Sequence, residues 1–212
     1  MSNEPMQTSI DTVIFDLGGV LIDWNPRHLY RKLFDDEAAM ERFLTEVCSQ
    51  DWNEQQDAGR AWDEAIAVLS AQHPTQVPLI RAYRERWDEM LGGPLADTVA
   101  VLAELRERGV RLYALTNWSG DTFEIAWQRY AFLHWFEDIV VSGREGLIKP
   151  DPAIFRLLLA RGGIDPAQAV YIDDTARHID VANTLGLHGL LFRDAATLRA
   201  QLSALGLLPP RE

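Results

Sequence analysis

The chain has 212 residues, of which 47% are hydrophobic and 25% charged, proportions that exclude wholesale disorder and allow one domain with a large insertion or two small ones. With 32 acids against 20 Lys and Arg, its formal charge of -12 repels a polyanion and argues against a nucleic-acid partner. A phosphorylated ligand meets the same repulsion, so an anion site has to be locally positive, built from a metal ion, a lysine and backbone N–H groups.

Thr12 to Phe15 is a short apolar run of the kind that forms a strand covered on both faces, and it leads directly into Asp16-Leu17-Gly18-Gly19. From about Asn25 to Gly93 the pattern is helical, with candidates at Pro26 to Phe34, Glu37 to Val47, Arg60 to Ala71 and Pro78 to Met90, and without a convincing strand. Asp23-Trp24-Asn25-Pro26 and Gly92-Gly93-Pro94 read as hinges, and Gln55-Gln56-Asp57-Ala58-Gly59-Arg60 as a polar break between helices. Leu95 to Arg108 places Val99, Leu102, Ala103 and Leu105 on one face and stops at Gly109, a suitable C-terminal cap.

A second strand at Val110 to Leu115 runs into Thr116-Asn117, and a helix over Asp121 to Tyr130 follows Ser119 as its N-cap. Strands at Asp138 to Val141, Ala169 to Ile172 and Gly189 to Phe192 complete the set, with Lys149-Pro150-Asp151-Pro152 after the first of these and Asp173-Asp174 after the second. Pro152 suits an early helical position. The alternation predicts an α/β fold, a doubly wound parallel five-stranded, Rossmann-like sheet with right-handed crossovers and a helical cap inserted after the first strand. The expected division is residues 1–24 and 94–212 for the core and 25–93 for the cap.

In an open parallel sheet, ligands bind beyond the carboxyl ends of the strands where the topology switches direction. Asp16, Thr116, Lys149 and the Asp173-Asp174 pair each follow an apolar run on that side. A carboxylate nucleophile, a hydroxyl donor, an ammonium and a metal-binding acid pair together supply the groups that phosphoryl transfer needs. Adjacent acids repel each other, and a hard divalent cation relieves that repulsion.

Phe15-Asp16-Leu17-Gly18-Gly19-Val20, Leu115-Thr116-Asn117, Lys149-Pro150-Asp151-Pro152 and Ile172-Asp173-Asp174 resemble, in order and spacing, the four motifs of the haloacid dehalogenase superfamily. The likeness covers nearly the whole chain. Within the superfamily the wording is most similar to that of bacterial sugar-phosphate phosphatases of the alpha-D-glucose-1-phosphate phosphatase kind. The resemblance implies that Asp16 is a nucleophile that forms an aspartyl-phosphate, that Thr116 and the backbone of Asn117 hold phosphate oxygens, and that Lys149 offsets charge. It also implies Mg²⁺ on Asp16, the Gly18 carbonyl and Asp174, with Asp173 acting directly or through water, and Gly18 and Gly19 turning their backbone to the phosphate. The substrate implied is a small phosphorylated metabolite, a sugar phosphate.

Two positions depart from the pattern. Most phosphatases of the superfamily carry a second Asp two residues after the nucleophile as general acid and base, and this chain has Gly18, which favours substrates with good leaving groups. His178 stands where an Asn is common, and a lone histidine reads first as structural. Asp23 reads as a hinge residue. Arg60 reads equally as a guanidinium swung over the substrate and as part of a solvated turn. Among the tryptophans, Trp52, Trp62 and Trp87 read as packing, whereas Trp118 and Trp24 are the two placed to face a ligand.

Cys48 is the sole cysteine, which excludes an internal disulfide, and it reads as a small apolar filler on a helix. Met1 to Ile10 show no basic region followed by an apolar stretch, and no apolar run approaches the ~18 residues of a membrane span, so a cytoplasmic location without a membrane partner is expected. The oligomeric state has no signature in the sequence. Two other readings of the motifs are a metal-independent 2-haloacid dehalogenase, which the acid pair disfavours, and a non-catalytic phosphate-binding module.

Overall fold

A computed structural model describes residues 9–210. Its strands are β1 (Thr12–Phe15), β2 (Ile22–Trp24), β3 (Leu91–Pro94), β4 (Arg111–Thr116), β5 (Asp138–Val141), β6 (Ala169–Asp173) and β7 (His188–Leu191). Five of them form one sheet in the order β5-β4-β1-β6-β7, and every pairing in it is parallel. The central strands are buried on both faces, which is why they read as unbroken apolar runs rather than as alternating ones. Successive side chains still divide: Val13, Phe15, Leu112 and Ile172 join one apolar cluster, and Ile14, Tyr113, Leu115 and Tyr171 the other.

The chain builds β4 and β5 to one side of β1 and then returns to place β6 and β7 on the other side. That reversal opens a crevice at the tips of β1, β4 and β6, where β1 ends just before Asp16 and β4 and β6 end at Thr116 and Asp173.

The two expected hinges are not loose connections. Ile22–Trp24 and Leu91–Pro94 pair as a two-stranded antiparallel ribbon with a register shift between Asp23 and Trp24, so the interval 25–93 does end in a strand. A run of Leu-Gly-Gly-Pro lacks the β-branched residues that signal a strand, and the ribbon exists because its partner lies beside it. A Cβ at Gly92 would overlap the carboxylate of Asp23 and the ring of His28, so a larger residue there would displace that pair.

Between the ribbon strands the chain forms helices at Arg27–Tyr30, Glu37–Glu46, Gln50–Asp57, Trp62–Gln72 and Val77–Glu85, then a 3₁₀ turn at Trp87–Met90. The first is far shorter than the expected Pro26–Phe34. The helix at Gln50–Asp57 was hidden in the sequence because QDWNEQQD shows no apolar stripe; the Ser49 side chain caps it at Trp52 N–H, and Trp52, Asn53, Gln56 and Asp57 are its buried face. The polar break therefore begins only after Asp57.

Tyr30, Phe43, Trp52, Trp62 and Tyr83 form the apolar interior of this insertion, with the Trp52 ring 5.2 Å from Tyr83 and 5.8 Å from Trp62. Cys48 packs beside them just beyond the end of its helix, and burial pushes its thiol up to about 12, as suits an inert filler.

Among the contacts that hold the insertion against the sheet domain, three run from Asp57 and Trp62 to Ser119 and Ser142. Ser119 stands at the N-cap of the helix Gly120–Arg129, yet its hydroxyl does not cap the helix; it accepts from Trp62 Nε1 at 2.8 Å. Its backbone N–H donates to Asp57 Oδ1 at 3.0 Å, and the Ser142 hydroxyl donates to the Asp57 carbonyl. No helix among the described residues is long and apolar enough to cross a membrane.

Candidate active site

Asp16 is the first residue beyond β1, and its N–H still donates to the Ile172 carbonyl at 2.8 Å, so the sheet itself fixes where its side chain starts. The residue is 8% exposed. Oδ1 accepts from the Leu17 N–H at 2.7 Å and lies 3.0 Å from Lys149 Nζ. Both contacts fall on the same oxygen, and Oδ2 has no protein donor among the described residues.

The Lys149 side chain is fully buried, and its ammonium donates to Asp173 Oδ2 at 2.7 Å and to the Leu115 carbonyl at 3.0 Å. It is aimed by Asn117, whose side-chain amide makes a reciprocal pair with the Lys149 backbone, donating to its carbonyl at 3.0 Å and accepting from its N–H at 2.9 Å. Lys149–Pro150 is a cis peptide. The Asn117 side chain thus acts on the lysine rather than on a ligand, a role the motif alone did not indicate.

Asp173 is the most enclosed member. Its oxygens take Lys149, the Tyr171 hydroxyl, the Thr175 N–H at 2.8 Å and His178 Nδ1 at 3.0 Å. Burial works to raise its pKa, but Lys149 and His178 prevail and hold the carboxyl well below the usual range. Burial likewise opposes the charge on Lys149, and Asp16 and Asp173 together overcome it.

Asp16 and Asp174 respond in the opposite sense. Burial pushes Asp16 up to about 7 against the pull of Lys149, with Asp173 and Asp174 adding to the rise. Asp174 is also raised, by burial and by Asp173. One oxygen from each of Asp16, Asp173 and Asp174 lies within 4.8 Å of the others. Crowded carboxylates that resist ionising are what a hard divalent cation stabilises, so the donor set fits Mg²⁺. Asp173 is already saturated by its donors, which leaves Asp16 and Asp174 as the carboxylates open to an ion. Gly19, at φ +73°, passes so close to Asp174 that a Cβ would overlap its carboxylate.

A cavity of about 250 Å³ opens above these groups and gathers Asp16, Gly18, Gly19, Thr116, Asn117, Trp118, Lys149 and Asp174 from the sequence candidates. Asp173 lies behind Lys149 and off the cavity surface. Arg60 is not brought in: its guanidinium is held by the side-chain oxygens of Gln55 and Gln56, at 2.6 and 2.8 Å, on the insertion. Trp24, the last residue of β2, and Trp87 both line the cavity, the latter with its ring tilted against Trp118 at 5.4 Å. Asp23 pairs with His28 at 2.9 Å at the hinge.

Sequence reasoning missed Asp57 and gave His178 no part. Asp57 reaches the cavity from the insertion, accepts from Asn53 Nδ2 at 2.8 Å, and is pushed up to about 7 by burial against the pull of the Ser119 N–H. The i, i+4 spacing of Asn53 and Asp57 was the available signal. His178 turns Nδ1 to Asp173 and lines the cavity with the rest of its ring.

Comparison with known proteins agrees with this layout. The chain is 26% identical to a sesquiterpene phosphatase of Aspergillus oryzae over 94% of its own length and 98% of the relative's. A HAD-like family hydrolase of Porphyromonas gingivalis superimposes with a TM-score of 0.71 at 22% identity, over 92% of this chain and 97% of the other. The HAD family enzyme bt-2542 of Bacteroides thetaiotaomicron, solved with magnesium and inorganic phosphate, gives a TM-score of 0.65 at 22% identity over 88% and 96% of the two chains. The family model for haloacid dehalogenase-like hydrolases matches residues 10–186, an interval that runs from the strand before Asp16 to the helix after the Asp173-Asp174 pair. The motif order, the sheet that carries it and this match agree, and the chain belongs to the haloacid dehalogenase-like hydrolases.

Proposed function

We propose that the protein is a Mg²⁺-dependent phosphatase that hydrolyses a small phosphorylated metabolite, a sugar phosphate, by way of a phosphoryl group carried on Asp16. The observation that carries the reading is the state of Asp16: one oxygen is tied to Leu17 and Lys149, the other takes no protein donor among the described residues, and the residue lines the cavity together with Asp174. A carboxylate attacks phosphorus without first losing a proton to a base. The bond from Asp16 Oδ2 to phosphorus forms as the ester P–O bond breaks, and the electron pair leaves with the alcohol oxygen, which takes a proton from water. Water then attacks the same phosphorus and releases Asp16 and phosphate.

Lys149 spreads its charge over nucleophile and phosphoryl group, and it is held ready by Asn117 and Asp173. Thr116, at the tip of β4, offers its hydroxyl to a phosphate oxygen. Asp16, Asp174 and the Gly18 carbonyl would hold Mg²⁺, which when bound offsets the negative charge shared by carboxylate and phosphate. Residues 25–93 serve as a cap over a core of 1–24 and 94–212, and the bonds from Asp57 and Trp62 to Ser119 hold it down. The phosphatase named among the relatives, and the phosphate and magnesium bound by bt-2542, support the same chemistry.

Phosphate release from a panel of phosphorylated metabolites tests the reading, with EDTA and Asp16→Asn as controls. The expected outcome is Mg²⁺-dependent turnover that drops by about 10⁴-fold or more in the variant. Chloride release from 2-chloropropionate that ignores EDTA would overturn it in favour of carbon displacement.

A further inference from the structure

The cavity above Asp16 has a neighbour. A second cavity, of about 500 Å³, is lined by Asn25, Leu44, Cys48, Ser49 and Tyr83 of the insertion, and Trp24 and Gln50 line both cavities. Residues that line two neighbouring cavities form the wall between them.

Trp24 is fixed in that wall by its backbone. It pairs with Leu91 across the ribbon, and the next residue, Asn25, donates its N–H to the Met90 carbonyl at 2.9 Å. The indole is half-buried against the main apolar cluster, and its Nε1 has no hydrogen-bond partner, so packing alone holds the ring and no protein group depends on it for a bond. Gln50 enters the wall from a different element. It is the exposed first residue of the helix Gln50–Asp57, whose start is set by the Ser49 cap on the Trp52 N–H.

We infer that Trp24, together with Gln50, sets the length of the leaving group, admitting one ring and shutting the substrate out of the second cavity. The phosphoryl group takes the end of the first cavity next to Asp16. Sites for drug-sized ligands span about 300–1,000 Å³, and this cavity, at about 250 Å³, falls below them, so the space beyond the phosphate takes about one sugar or aryl ring. A second ring meets the indole, and a clash built against the longer ligand selects as effectively as a contact made to the shorter one. The space behind the wall combines the aromatic ring of Tyr83 with the polar side chains of Asn25 and Ser49, so it suits a second ring once the indole is gone. The inference rests on the phosphatase reading and concerns the length of the leaving group, whether sugar or not.

The test compares kcat/KM, with Mg²⁺ present, within two pairs of esters that differ by one ring: glucose 1-phosphate with maltose 1-phosphate, and phenyl phosphate with biphenyl-4-yl phosphate. Acetyl phosphate reports the reaction without a ring. The unaltered enzyme is expected to prefer the one-ring member of a pair by about 10²-fold or more. Trp24→Ala should narrow that preference about tenfold, and Trp24→Phe and Gln50→Ala by a smaller factor, about threefold. Each ratio is taken within one protein, so a general loss of activity does not enter it. A two-ring ester turned over as well as its one-ring partner by the unaltered enzyme, or a preference that moves in none of the variants, overturns the inference and leaves the phosphatase reading intact. Turnover of acetyl phosphate alone has the same meaning. Absence of turnover with every compound overturns both. Should Trp24→Ala fail to fold, Trp24→Phe and the exposed Gln50→Ala decide.

Discussion

At the strand tips, Lys149 sits 3.0 Å from Asp16 and 2.7 Å from Asp173, and the oxygens of Asp173 are taken up by four neighbours. Across the cavity the helical insertion presents a different surface: the carboxyl of Asp57 is buried, accepts from Asn53 and from the Ser119 N–H, and is held up at about 7. On the sheet side Lys149 and Asp173 are matched by their neighbours before any ligand arrives, whereas the insertion side brings to the cavity a carboxyl that burial keeps from ionising readily. Preorganised charge serves the reaction, which is the same for every phosphate ester.

The comparison breaks most severely at Lys149. Lys149→Met should lower kcat by about 10³-fold and destabilise the fold by about 3–5 kcal/mol, because Asp16 and Asp173 would be left buried without their counter-charge. Parallel kinetics and urea unfolding check both halves. A variant that keeps its stability would show that the strand-tip charges are less enclosed than their distances imply.

Gly18 lies between the two regions and offers a way to sharpen the contrast. It has no positive φ, and a Cβ there meets nothing within 4 Å, so Gly18→Asp fits and restores an acid beside the leaving group. Hydrolysis of a primary alkyl phosphate relative to an anomeric one should rise by about tenfold or more, since a positioned acid is typically worth 10² to 10⁴. Similar turnover of the two ester types in the unaltered enzyme would remove the premise.

The smallest expected effect is at Asp57, and it has the opposite sign to that at Lys149. With a carboxyl near 7 when folded and 3.8 as reference, the native chain holds a proton between those values that the unfolded chain has released. Stability therefore falls as the pH rises from about 4 to about 7 and levels off above. Asp57→Asn should remove that fall and gain about 1–2 kcal/mol at pH 8 with no gain at pH 4, as read from urea unfolding at the two values. A loss at pH 8 would show that the ionised carboxylate is held by Ser119 and Asn53 more firmly than burial opposes it.

The strand positions were legible because a strand buried on both faces declares itself in four or five adjacent residues, as at Thr12–Phe15 and Ala169–Asp173. The candidate groups were legible for the same reason, since each follows such a run. The helix Gln50–Asp57 was not, because only its burial against the neighbouring aromatic rings makes a polar segment helical. The ribbon at Leu91–Pro94 was not, because its pairing partner is nearly seventy positions away.

The sequence by itself determined the sheet, the insertion and the residues that stand at the strand ends, since those follow from neighbours along the chain. The tertiary structure alone decided the partners. It gave Asp173 to Lys149, Tyr171 and His178, turned Asn117 toward the lysine, set Asp57 against Ser119 and excluded Arg60 from the cavity. Burial and hydrogen-bond partners depend on contacts between segments distant in the chain, and no local pattern encodes them.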